Sequence, residues 1–294
     1  MKLAKRRIVA EAVEMACLVE ASCEKPGNVT PTRQFGDLAF VDFLHAAVLM
    51  GAVFGEAERK EVGETVLDAA TQIHRNVRTN TSIGTALLLA PLAHAYYRKG
   101  KLNAESARAT LAALSVKDAA LAYRALRLAN PGGLGRSSAH DVRKRPTVTL
   151  LRAMKLAADR DWIAYEYAHN YSITFDAGAP ELAAALDKGL EFRDAVTHTY
   201  LRLLYLYPDS HIARRNTPAL ALQVSEMAGQ VLGKGGMHTA EGRRAAYEFD
   251  HQLRSPDHHL NPGSTADLTA AALFVHFINH GYQSLHTNAK PGAE

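Results

Sequence analysis

The strongest constraint on this chain is a period: its apolar residues recur every three to four positions along most of its length, and almost nowhere every two. Ile8, Ala12, Met15, Ala16 and Val19 fall on one face of a first helix, with charged residues between them. The segment 40–54 is apolar nearly all round, the pattern of a helix buried at the centre of a domain. The same spacing predicts helices over 58–76, 83–98, 104–114, 117–128, 148–158, 162–171, 180–207, 219–232, 239–253 and 265–281. Alanine is abundant in these stretches and is the best helix former, since it has no side-chain entropy to lose. No run of alternating β-branched residues bounded by turns occurs, so a sheet is not expected. The expected fold is all-α: a single multi-helix, bundle-like domain over residues 1–286, its site built from the inter-helix loops, with a disordered tail at 287–294.

Across 294 residues the hydrophobic share is 47% and the charged share 22%, enough apolar side chain for a sizeable core. A formal net charge of +4 is a mild excess that does not require nucleic acid and suits an anionic small molecule at least as well. Cys17 and Cys23 match neither a zinc nor a redox spacing, and two cysteines are too few to staple a secreted protein of this size. They read as buried thiols in a reducing cytoplasm. Glu11, Glu14 and Glu20 interrupt the first amphipathic run, so it lacks a signal-peptide core. No uninterrupted apolar stretch reaches the ~18 residues of a membrane span, and a soluble chain is expected.

Five polar loops break the helices, at 25–37, 78–82, 130–146, 207–218 and 254–264. Loops on a rigid helical scaffold are where binding groups concentrate. In the first, Glu20 and Glu24 share a helical face and Lys25 follows where Pro26 must end the helix. Two carboxylates beside an ammonium could hold a divalent cation or a polar substrate, or form a solvated helix end. Asp37 precedes the 40–54 helix, as a cap or as an acid. The second loop, Arg78-Thr79-Asn80-Thr81-Ser82, offers hydroxyls, an amide and backbone N–H groups at a helix start: an anion site, or plain capping.

The third loop, Asn130-Pro131-Gly132-Gly133-Leu134-Gly135-Arg136, has glycines that let backbone amides turn toward phosphate oxygens. No strand precedes it and no Gly-Lys-Ser/Thr ends it, so it is neither a dinucleotide fingerprint nor a P-loop. In the fourth, Asp209, Arg214 and Arg215 fall within seven residues, a triphosphate clamp or a surface salt-bridge cluster. The fifth, Asn261-Pro262-Gly263-Ser264-Thr265, opens the last long helix, with Ser264 or Thr265 as its cap and Asp267 in its first turn. His276 and His280 lie four apart but lack the Glu and Cys partners of a zinc motif. No G-x-S-x-G elbow nominates a nucleophilic serine.

Taken in order, the loop words resemble the triphosphoribosyl-dephospho-CoA synthase family. The matching words are Lys25-Pro26-Gly27-Asn28-Val29, Asn80-Thr81 with Gly84, and Gly132-Gly133-Leu134-Gly135 with Asp141-Val142. Asp209-Ser210 with Ile212 and Arg214 follows, then Asn261-Pro262-Gly263 with Ala266-Asp267-Leu268 and Leu273-Phe274. Each word is weak alone, and five in one order across nearly the whole chain are strong. Gly36-Asp37-Leu38 and Asn80-Thr81-Ser82-Ile83-Gly84 are worded more like the archaeal-type branch, also found in bacteria with methanopterin-linked one-carbon metabolism.

The resemblance implies an all-α enzyme that joins the triphosphoribosyl unit of ATP to a hydroxyl of a CoA-like acceptor and releases adenine. It implies ATP as substrate, Mg²⁺ on the triphosphate, and a homodimer as a candidate assembly, with no nucleic-acid or membrane partner. Such a transition state has oxocarbenium character, which a nearby carboxylate stabilises. On this reading Asp37, Asp209 and Asp267 are the candidate acids. Lys25, Arg214 and Arg215 would grip phosphates, while Asn28, Asn80, Thr81, Gly132, Gly133, Gly135 and Asn261 would shape the pocket. Glu20, Glu24 and Asp209 are the candidate metal ligands. An ATP-using enzyme of methanopterin- or methanofuran-type cofactor synthesis, and a non-catalytic nucleotide-binding protein, are the alternative readings.

Overall fold

The apolar period is realised as fourteen α-helices, with no strand among the described residues. The computed structural model describes residues 2–286 except Arg78, Asn80, Gly133, Leu134, 136–139 and Pro256, so the expected tail at 287–294 lies outside it. In chain order the helices are α1 (Lys2–Ser22), α2 (Phe40–Gly55), α3 (Val62–Asn76), α4 (Ile83–Lys99), α5 (Ala104–Ala112), α6 (Val116–Ala129) and α7 (Leu150–Lys155). They continue as α8 (Trp162–Ala168), α9 (Ala179–Asp187), α10 (Phe192–Leu206), α11 (Ser210–Arg215), α12 (Pro218–Gly233), α13 (Ala240–Leu253) and α14 (Gly263–His280). Buried apolar residues from α1 through α14 form one contiguous core.

Two helices occupy the centre. α4 is buried from Ile83 to Ala95 and α14 from Leu268 to Phe277, and they pack against each other. Their contact faces are rich in alanine, which lets backbones approach closely while excluding water. α1 lies along α2 and α14, α3 joins α4 to α6, and α10 sits between α12 and α14.

α4 carries Pro91 in its interior, which has no N–H to give the carbonyl four residues earlier. That carbonyl belongs to Leu87, and the Tyr167 hydroxyl donates to it at 2.7 Å. The Tyr171 hydroxyl donates to the next carbonyl, of Leu88, also at 2.7 Å. Both phenols are fully buried, and burial pushes their pKa values up, so they remain donors. Tyr171 reaches its position from a left-handed backbone, φ +62°. Just before it, Glu166 is buried and receives the N–H groups of Ile173 (3.1 Å) and Thr174 (2.7 Å) and the Thr174 hydroxyl (2.5 Å). Those bonds secure a widened helical turn over Ile173–Gly178 that packs on α14.

Two expectations are corrected. The helix predicted over 180–207 is two helices, parted by a turn at Gly189 with φ +85°. The helix over 40–54 is peripheral. Its inner face, with Ala46, Ala47, Met50 and Phe54, is buried, while Val41 and Val48 are 64% and 50% exposed. Apolar residues on all sides could not say which side faces the core.

Removing the Tyr167 hydroxyl strands a buried carbonyl. Tyr167→Phe is expected to lower stability by about 1–3 kcal/mol in urea unfolding, with the denaturant slope unchanged.

Candidate active site at the helix N-termini

A cavity of about 870 Å³ opens where the N-terminal ends of α4, α8, α11 and α14 meet the first loop. That volume falls in the range of small-molecule sites. Asn28, Asp37, Thr81, Gly132 and Asn261 line it, and so do Glu20, Arg214, Arg215 and Asp267. Residues from all five sequence loops therefore share one space.

The first and fifth loops bond directly to each other. Asn28 Nδ2 donates to Asn261 Oδ1 at 2.6 Å. The Asn28 backbone is fixed from behind, where Arg254 donates to its carbonyl at 2.7 Å and Asp250 accepts the Gly27 N–H at 2.8 Å. Gly27 has φ +81°, and a side chain there would strike Leu253 and Pro262. Asn28 Oδ1 is buried and accepts from nothing among the described residues. A buried acceptor left open beside a cavity is a place for a ligand donor.

At the N-terminus of α4, no side chain caps the helix. The Ser82 hydroxyl donates to Thr81 Oγ1 at 3.1 Å, and the buried Thr79 hydroxyl has no partner among the described residues. The first turn of α4 thus presents N–H groups and a partial positive charge to the cavity. Gly84 in that turn is bare for a reason: a Cβ would lie 2.0 Å from Asp267 Oδ2.

Asp267 accepts from the Thr85 hydroxyl at 2.6 Å and forms no ion pair among the described residues. Burial pushes its pKa up to about 8; the Thr85 hydrogen bond opposes the rise, and Glu20, Asp209 and Asp161 add to it.

Asp209 is placed differently from its role as a candidate acid or metal ligand. It is fully buried behind the wall, where Oδ1 caps α11 through Ile212 N–H at 2.9 Å. Oδ2 accepts from Thr265 N–H (2.8 Å), Thr265 Oγ1 (2.8 Å) and Ser264 Oγ (2.7 Å) at the start of α14. Its lone pairs are spent on two helix ends. Ser264 and Thr265, expected to cap α14 themselves, instead deliver it to this carboxylate.

Arginines ring the rest. Arg214 pairs with Asp161, the cap of α8, and Arg215 donates to the Asp257 carbonyl at 3.0 Å and meets His258 Nδ1 at 3.0 Å. His258 Nε2 lies 3.1 Å from Asp37, whose pKa this hydrogen bond lowers. Asp37 is thus an exposed partner of His258 at the rim, and the cap position before α2 belongs to Ala39, with Asp42 accepting its N–H at 3.3 Å. Arg160 and His211 complete this side; burial lowers the His211 pKa to about 4, so its ring is neutral at physiological pH.

Lys25 does not reach the cavity. Its side chain is fully buried and its ammonium donates to the Glu20 and Cys23 carbonyls, with Glu20 Oε1 at 3.1 Å. Two carbonyls and one carboxylate surround it, so its charge holds Glu20 in place of the phosphate grip expected of it. Glu24 is on the surface and accepts from Thr32 at 3.0 Å. Glu20, Glu24 and Asp209 therefore do not assemble as a cation site, and no group of three carboxylates, thiols or imidazoles does so among the described residues. Gly135, φ +65°, accepts from Arg143 at 2.9 Å in an adjoining cleft beside Gly132. Asn80 and Gly133 lie outside the described residues.

The model of the ATP:dephospho-CoA triphosphoribosyl transferase family matches residues 6–285. The chain belongs to this family. A crystal structure from Archaeoglobus fulgidus, named for triphosphoribosyl-dephospho-CoA synthase, superposes with a TM-score of 0.63 at 27% identity, covering 81% of this chain and 99% of that one. Proteins of two Vibrio cholerae strains, named as 2-(5″-triphosphoribosyl)-3′-dephosphocoenzyme-A synthase, are 33% identical over 121 residues. That match spans 41% of this chain and 38% of theirs. As in the family reading of the sequence, the site loops of this member converge; what that reading missed are Thr85, Arg160, Asp161, His211 and His258. Asp161 carried a legible signal, an Asp immediately before an apolar helix. His258 carried none, since its reach to Arg215 and Asp37 depends on the folded loop.

No helix among the described residues is long and apolar enough to cross a membrane. Two outcomes follow from the site. Asp209→Ala removes caps from α11 and α14 together and is expected to lower unfolding stability by roughly 2–4 kcal/mol. Asp267 holds a proton in the folded chain that the unfolded chain has released, so between its ordinary value and about pH 8 stability falls as pH rises. Unfolding free energies measured from pH 5 to 9 should show that decline, and Asp267→Asn should flatten it.

Proposed function

We propose that this chain transfers the triphosphoribosyl unit of ATP to a hydroxyl of a dephospho-CoA-type acceptor, with release of adenine. The observation that carries the reading is the pairing of unlike ends in one cavity. Arg160, Arg214, Arg215 and the uncapped turn of α4 gather positive charge, and Asp267 lies within the same walls without a counter-ion among the described residues. Polyphosphate oxygens match the first, since arginine binds phosphate in a bidentate way and keeps its charge. Asp267, once it has given up its proton, matches a sugar carbon that becomes cationic as its base departs. Apolar side chains on another wall, among them Leu126, Leu128 and Met154, offer a surface for a purine ring.

Asp37 and Asp161 are committed to His258 and Arg214, and Glu20 to Lys25. These commitments leave no protein cage for a divalent cation among the described residues. Mg²⁺ accordingly enters this proposal with the triphosphate, on phosphate oxygens, which is its ordinary mode of binding beside nucleotides. No step is routed through it. Two free buried thiols suit the reducing cytoplasm in which these substrates occur.

The test is incubation with ATP, Mg²⁺ and 3′-dephospho-CoA, followed by chromatography for adenine. Adenine in step with acceptor consumption is expected, and Arg214→Ala or Arg215→Ala should raise KM for ATP by roughly tenfold or more. ADP or phosphate in place of adenine would point to the one-carbon cofactor reading, and ATP binding without turnover to a non-catalytic role.

A further inference from the structure

The transfer contains two proton movements, and two of the carboxylates that line the cavity, Glu20 and Asp267, stand in unlike surroundings. Glu20, at the end of α1, stands on the ammonium of Lys25, whose side chain is fully buried. A buried ammonium is strongly destabilising unless an anion and hydrogen-bond acceptors compensate it. Glu20 is the carboxylate that partners the Lys25 ammonium, at 3.1 Å. Asp267 has the Thr85 hydroxyl at 2.6 Å and the bare Cα of Gly84, with no cation beside it among the described residues. Two carboxylates in unlike surroundings, one on a cation and one without, can divide the roles of base and acid.

Resting on the transferase reading, we propose that Glu20 and Asp267 divide the two proton transfers. Glu20 takes the proton of the attacking acceptor hydroxyl, Asp267 gives a proton to the departing adenine, and Lys25 is the positioning residue for Glu20. The C1′–N9 bond of ATP breaks with its electron pair going to the purine, and a C1′–O bond forms from the acceptor oxygen. One proton leaves that oxygen for Glu20 and one reaches the purine from Asp267. The site ends with Glu20 protonated and Asp267 ionised, and exchange with water through the cavity mouth resets both.

The surroundings agree. Facing Asp267 are Glu20 and Cys17 of α1, Asp209, and Asp161 at the cap of α8. Burial first, then those carboxylates, keep its proton on up to about pH 8, against the Thr85 hydrogen bond. Facing Glu20 are Lys25, the thiols of Cys17 and Cys23, Asp267 and the buried Tyr200 hydroxyl. Asn28 lines the same cavity, is 5% exposed, and keeps Oδ1 unpartnered among the described residues, an acceptor ready for a substrate hydroxyl or amine.

The experiment compares ATP with its N7-methylated analogue, whose base departs neutral and needs no proton. Asp267→Asn is expected to slow transfer from ATP by about a hundredfold or more while sparing the methylated substrate. Glu20→Gln is expected to slow both by about as much. Lys25→Met should lower kcat and leave KM for ATP within about threefold, because it holds Glu20 and not phosphate. In kcat/KM, the unaltered enzyme should lose activity above about pH 8 and Asp267→Asn should lack that limb. Thermal unfolding checks each variant; if Lys25→Met does not fold, the other two decide, and if the methylated substrate is refused, the pH limb decides.

Equal slowing of both substrates by Asp267→Asn, or an undiminished rate in Glu20→Gln, overturns the division while adenine release by the unaltered protein keeps the transferase reading. A raised KM with kcat intact in Lys25→Met makes Lys25 a phosphate ligand and overturns its positioning role. No adenine from the unaltered protein overturns the reading and the division together.

Discussion

The Asp209 carboxylate holds the architecture of the site. One oxygen ends the search of α11 for a cap and the other receives three donors at the start of α14. A single buried anion thereby locks the arginine-bearing helix to the helix that carries Asp267. Burying a carboxylate is tolerable only when its lone pairs are filled, and here four donors fill them. The same arrangement explains why an aspartate in a polar loop, flanked by arginines, is buried behind the cavity wall. Its neighbours Arg214 and Arg215 point onward because Asp209 anchors the turn beneath them.

Central placement of the two apolar helices sets the second constraint. α4 and α14 can be buried on all sides only if their interior irregularities are satisfied, and the Pro91 gap is filled by Tyr167, with Tyr171 bonded to the next carbonyl. With that gap closed, the N-terminal ends of both helices arrive at one place. The end of α14 is capped from across by Asp209, while that of α4 is left open. The open end, not the capped one, supplies the uncompensated N–H dipoles for an anion.

Helix existence was legible in the sequence, because a period of three to four apolar residues leaves little choice of secondary structure. Helix position was less so: the all-apolar α2 lies at the periphery, and only the packing partners α1 and α3 decide that. The five loops were identifiable from their glycines, prolines and hydroxyls, and Asn28, Thr81, Arg214, Arg215 and Asp267 do line one cavity. Loop chemistry read in isolation could not assign roles, since each capping residue looks the same whether its oxygen meets its own helix or another. Lys25 shows the limit. Next to a helix-ending proline it reads as a phosphate grip or as part of a solvated helix end, and its inward turn onto Glu20 is a fact of tertiary packing alone.

Glu166 and Asp267 make the final contrast. Glu166 is buried and Asp267 half-buried, and desolvation raises both pKa values, to about 7 and about 8. Glu166 receives two backbone N–H groups and a hydroxyl, all from the turn it stabilises, and it does not line the cavity. Asp267 receives one hydroxyl, forces a glycine opposite it, and borders open volume. A carboxylate kept for structure is surrounded until its lone pairs are used. One kept with so few partners, against a cavity lined by arginines, holds its proton in the empty protein and leaves lone pairs open to the cavity. That difference in satisfaction, more than the shared shift in acidity, separates the carboxylate that secures a turn from the carboxylate left open to the cavity.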